Sequence, residues 1–95
     1  MPITIQQLKD FAAGLGNRQL ATPKRGNTFT VEAEPTRISF IPDATGNRLQ
    51  EGDNHLSRWC ATYNQHASLD PNLYLFSRHR CYMIPLIEAF LQNHR

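Results

Sequence analysis

Long apolar runs, a basic leader and a set of paired cysteines are all missing from this chain of 95 residues. No stretch approaches the roughly 20 apolar residues that span a bilayer, so no membrane partner is expected. The start, from Met1 to Gln7, carries neither a basic region nor an apolar core of the secretory kind. That predicts no signal peptide and a cytoplasmic location. Two cysteines, Cys60 and Cys81, are too few for the disulfide framework of a small secreted domain. Lysine is scarce, 2 residues against 8 arginines. With a formal charge of +2 the chain is only weakly basic, which permits a nucleic-acid partner without demanding one. Apolar residues make up 40% and charged residues 19%. Those are the proportions of an ordinary globule, and residues 1–95 are expected to form a single domain with no deep cleft.

What is present is periodicity. Thr4 and Gln7 have the form of a capping box, followed by the helical stripe Ile5, Leu8, Phe11, Ala12 and Leu15. Gly14 and Gly16 end that helix, one of them in a left-handed conformation. The stretch from Asn17 to Asn27 is polar and predicts a loop, with Arg18, Lys24 and Arg25 in it. Phe29, Val31 and Ala33 then alternate with Thr28, Thr30, Glu32 and Glu34, and Ile38 and Phe40 alternate with Arg37 and Ser39. With Pro35 suited to a tight turn between them, these two strands predict a β-hairpin. Such a hairpin is marginal alone and needs helices on its apolar face.

From Asp43 to Asp53 the chain predicts a loop, with Asp53 as the N-cap of a second helix running to about Asn64. Leu56, Trp59, Cys60 and Tyr63 form its apolar stripe, and Trp59 is expected to anchor it to the hairpin. Asp70 and Pro71 open a short turn. Ser77 is expected to cap a last helix over 78–93, apolar on most sides and central to the core. Pro85 inside it predicts a kink or a break near Ile84, with the continuous apolar faces favouring the kink. The order helix, hairpin, helix, helix defines a small α+β domain.

No pattern of residues fixes a chemistry. His55, Cys60, His79 and Cys81 form a nominal zinc set, but their spacings send them to different helix faces, and two buried, metal-free cysteines are the simpler expectation. No cofactor is implied. Cys81, early in its helix behind Arg78 and Arg80, is the better candidate for a reactive thiol. No nucleophile elbow, phosphate loop or carboxylate pair accompanies it. Thr45 to Arg48 has the composition of a β-turn with Gly46 or Asn47 at positive φ. Arg37 on the hairpin, Arg48 in that loop, Arg58 on the second helix, and Arg78 and Arg80 at the start of the last could share one side. Planar guanidinium groups suit phosphates and guanine edges. The alternative is that these arginines pair with Glu32, Glu34, Glu51 and Asp53. Tyr63, Tyr74, Phe76 and Tyr82 offer a stacking platform or a partner patch, although a core this small is expected to bury most of them.

The run from Ser39 to Arg48, then Trp59 to Asn64, Ser68 to Pro71, Tyr74, and Ser77 with Arg78, resembles small uncharacterised bacterial proteins of the kind carried on mobile gene cassettes. The resemblance covers about the C-terminal two-thirds. It implies a stand-alone bacterial domain of the cytoplasm, and it carries no activity and no site residues. Three functions are therefore in view. The first is a non-enzymatic module that binds nucleic acid through Arg37, Arg48, Arg58, Arg78 and Arg80. The second is a protein-interaction or self-associating module. The third is a small thiol enzyme centred on Cys81.

Overall fold

The computed structural model describes residues 2–16, 18–23 and 25–93, and the fold is α+β. Asn17 and Lys24, both assigned by sequence to the polar loop, lie outside the described residues. Among the described residues the order is α1 (Ile5–Leu15), β1 (Leu20–Ala21), β2 (Thr28–Glu34), β3 (Arg37–Pro42), β4 (Leu49–Gly52), α2 (Asp53–His66), a 3₁₀ turn (Pro71–Tyr74) and α3 (Arg80–Asn93). The expected hairpin is β2–β3, but it is the middle of a four-stranded antiparallel sheet of order β1-β2-β3-β4. Two segments expected to be loops contribute the outer strands. β1 is only two residues long, and its pairing rests on Leu20 opposite Phe29. β4 escapes sequence patterning because one of its inward residues is a glutamate.

Register shows which face is which, since directly opposed residues share a face. Val31 lies opposite Phe40, and Ala33 opposite Ile38, on the core side. Ile38 in turn lies opposite Glu51, so Glu51 also points inward, and it is only 2% exposed. The other face carries Glu32 opposite Ser39, which is opposite Gln50, and Glu34 opposite Arg37.

The helices begin and end for identifiable reasons. Thr4 Oγ1 accepts from the Gln7 amide at 3.1 Å, and the Gln7 side chain accepts from the Thr4 amide at 3.1 Å, closing the expected capping box. Gly16 follows α1 at φ 58°, a conformation that glycine adopts at little cost. The N-cap of α2 is Gly52 rather than Asp53. Asp53 falls in the first turn, where its carboxylate meets Lys9 Nζ of α1 at 2.7 Å. α3 starts at Arg80, two residues later than expected, with the Tyr82 and Met83 amides donating to the His79 carbonyl. The Ser77 hydroxyl donates to Glu51 Oε2 and accepts from the His79 amide at 3.2 Å. Pro85 does not divide α3, which is one element from Arg80 to Asn93. The proline removes a backbone donor, but Met83, Leu86 and Ile87 around it are fully buried, and that burial offsets the lost bond.

Three helices close over the inner face of the sheet. Leu8, Ala12 and Leu15 of α1, Leu56 and Trp59 of α2 and the centre of α3 form one apolar cluster with Phe29, Val31, Ile38 and Phe40. Trp59 anchors α2 as expected, but mainly against Tyr74, with ring centroids 3.9 Å apart and planes 13° from parallel. Its indole Nε1 donates to Glu51 Oε2 at 3.0 Å. The N-terminal segment is held by a reciprocal pair. The Ile3 amide donates to Asn64 Oδ1 at 2.7 Å, and Asn64 Nδ2 donates to the Ile3 carbonyl at 3.0 Å.

Replacing Trp59 by alanine should cost about 3–5 kcal/mol of stability, measured by urea denaturation. Glu51→Ala should be of similar severity. It strands the Trp59 and Ser77 donors in the interior, at about 1–3 kcal/mol each. Glu32→Ala, on the open face of the sheet, should change stability by no more than about 1 kcal/mol.

Candidate nucleic-acid interface

The five candidate arginines do not share one surface. Arg37 sits beside the β2–β3 turn, with Nε 3.3 Å from Glu34 Oε2. Glu34 is also met by the Ser39 hydroxyl. That bond first, then Arg37, holds its carboxyl below the ordinary value against the opposing effect of desolvation. Arg48, before β4, is ion-paired with Glu32 across the sheet, and this contact keeps its guanidinium more firmly protonated. The open sheet face thus matches two arginines with two glutamates. Arg58 lies over the Phe76 ring with Cζ 4.2 Å from its centroid, a cation–π contact on α2.

Arg78 and Arg80 do come together, and they gain a third member. They line an open groove of about 510 Å³ with Arg25, between the 22–27 loop and the first turn of α3. Thr22, Pro23, Asn27, Pro71, Cys81 and Tyr82 complete its walls, and no carboxylate among the described residues lines it. Arg80 is steadied by a bond from Nη1 to the Pro71 carbonyl at 3.3 Å. Arg78 is exposed. The positively polarised start of α3 faces the same groove. Arg25 was legible only as part of a basic loop. Its meeting with α3 depends on β1 pairing with β2, a contact too short to leave a pattern in the sequence.

A second open groove, of about 590 Å³, adjoins the first. The two share Asn27 and Tyr82. Its polar walls include Thr28, Asp43, Thr45 and Asn47, and the turn that carries Thr45 to Asn47 has Gly46 at φ 69°. The Thr45 hydroxyl accepts from the Asn47 amide at 3.3 Å, a turn closed by a side chain, and Gly46 takes the positive φ expected there.

The aromatic residues face one another rather than solvent. Tyr74 is fully buried on Trp59, and its hydroxyl donates to the Ser68 carbonyl at 2.6 Å. Phe76 packs edge-on to Trp59. Tyr82 is stacked on Phe40, with Phe29 edge-on at 5.0 Å. No broad stacking plate results.

The two histidines meet at one carboxylate, and the two cysteines differ in exposure. His55 Nδ1 lies 3.1 Å from Glu51 Oε1, and His79 Nδ1 lies 3.8 Å from the same oxygen. The Ser77 hydroxyl faces that carboxylate instead of a histidine, so it is not arranged as an activated nucleophile. Cys60 is buried, and desolvation pushes its thiol up to about 11. Cys81 is exposed, which corrects the expectation that both thiols lie inside. Its thiol is nevertheless raised, because desolvation outweighs its own backbone amide and the Arg80 charge. A raised thiol is a poor nucleophile near neutral pH.

No family model, curated protein or solved structure matches this chain.

Burial also pushes the Tyr74 phenol up to about 12. Both Cys60 and Tyr74 hold their protons more tightly folded than unfolded, so they stabilise the fold below their ordinary values and lose that contribution as pH rises. Stability should fall between about pH 9, where the unfolded thiol ionises, and pH 11, and continue toward 12. Urea midpoints across this range check the effect, and Cys60→Ala should make the fall shallower.

Proposed function

We propose that this chain is a non-enzymatic binding module that holds nucleic acid by its phosphates in the groove of Arg25, Arg78 and Arg80. The observation that carries the reading is three guanidinium groups on one groove with no carboxylate among its described walls. Uncompensated arginines at a helix start attract phosphate through both charge and paired donors. The hairpin takes no part in this reading. Glu32 and Glu34 neutralise its arginines, and a sheet face so balanced gains little from a polyanion. A protein-partner reading draws on Leu75, which is 70% exposed beside the 3₁₀ turn. A single exposed leucine is common on ordinary surfaces, which ranks that reading second.

Binding of labelled oligonucleotides at several salt concentrations tests the proposal. Arg78→Ala and Arg80→Ala should each weaken binding and flatten the slope of log affinity against log salt by about 0.7–0.9. Arg48→Ala should leave both unchanged. If the wild-type protein binds no strand even at low salt, the phosphate reading fails. Sizing the protein and its Leu75→Ser variant then tests self-association.

A further inference from the structure

The polar groove beside the arginines differs from them in charge. Asp43 is the carboxylate in its lining, and no cation among the described residues lines it. Thr28 Oγ1 donates to Asp43 Oδ2, and Gln19 Nε2 donates to the same oxygen at 2.6 Å. Both donors meet one oxygen, which leaves Oδ1 to accept from a ligand. A carboxylate repels phosphate and favours hydroxyl donors. A ligand crossing from the arginine groove to Asp43 is therefore matched by an anion at the first and a hydrogen-bond donor, such as a hydroxyl, at the second. Asn27 and Tyr82 belong to both grooves, so nothing separates the two requirements in space.

We infer that the joined grooves bind single-stranded RNA, with a phosphate among Arg25, Arg78 and Arg80 and the neighbouring ribose 2′-hydroxyl donating to Asp43. This rests on the phosphate reading above and adds the kind of strand. The 2′-hydroxyl is the group that distinguishes RNA from DNA at a contact of this sort. The arginine groove runs between the 22–27 loop and the start of α3, and the Asp43 groove adjoins it along the 42–47 loop, so the pair offers a path for one sugar–phosphate chain. Tyr82 is a shared wall, its ring already engaged by Phe40 and Phe29, so bases are not gripped by stacking on it. Recognition of the backbone without readout of sequence follows.

The test uses the full chain with one mixed sequence prepared as RNA, DNA, 2′-O-methyl RNA and duplex RNA, followed by fluorescence anisotropy at low salt. Single-stranded RNA should bind about tenfold more tightly than DNA, the effect of one hydrogen bond to a charged acceptor. The 2′-O-methyl strand, which has lost the donor, should behave like DNA. Asp43→Ala should abolish the preference for RNA without weakening DNA binding, which relief of the repulsion between carboxylate and phosphate can only strengthen, with melting curves to confirm folding. If that variant does not fold, the four-strand comparison on the wild-type protein decides alone. Equal affinity for RNA and DNA, tighter binding of duplex RNA, or a preference that survives Asp43→Ala overturns this inference and leaves the phosphate reading standing. Failure to bind any strand overturns both.

Discussion

A carboxylate with almost no access to water is the constraint on which the rest of this structure depends. Burying an ionised glutamate costs several kcal/mol unless its oxygens are met by donors. Glu51 meets that condition with Trp59 and His55, both of α2, and with Ser77 ahead of α3. The strand β4, the helix α2 and the approach to α3 are thereby tied to one point. The hydroxyl of Ser77 donates to Glu51 and accepts from the His79 amide, and the residues between it and the start of α3 at Arg80 include Arg78, which lines the groove. The polar knot inside the domain and the basic groove on its surface are two ends of the same short segment.

Charge is partitioned with equal economy. Across the open face of the sheet each candidate arginine meets a glutamate, and α2 lays Arg58 on an aromatic ring. At the start of α3, Arg78 and Arg80 line a groove with no carboxylate among its described walls. A net charge of +2 conceals this division, because a sum over the chain says nothing about which charges are neighbours. The phosphate reading depends on that local imbalance alone.

The helices and the central hairpin were legible because their apolar residues recur at the helical or the strand period, as with Leu8, Ala12 and Leu15 or Phe29 and Val31. The outer strands were not. β1 is too short to show a period, and Glu51 occupies the inward position at which an apolar residue would have revealed β4. The same glutamate takes the hydroxyl proton of Ser77, the expected cap of α3, a tertiary contact that the sequence does not display. In the candidate site, Arg78 and Arg80 were visible as neighbours in sequence, whereas Arg25 joined them only through a tertiary contact. Pairing of Arg37 and Arg48 with glutamates was an open alternative that composition could not resolve, since both partners sit across strands rather than along them.

The four strands lie side by side in the order in which they occur along the chain, and the turn between β2 and β3 holds just Pro35 and Thr36. Neighbouring strands can therefore meet while closing only short loops, the arrangement associated with rapid folding. The clasp between Ile3 and Asn64 is of another kind, closing a separation of 61 residues. It gains its full worth only after the meander and α2 have formed, because before then the two groups must find each other across most of a flexible chain. The contacts thus differ in what they ask of the chain: the sheet joins near neighbours, and the clasp ties the N-terminal segment to α2 across 61 residues.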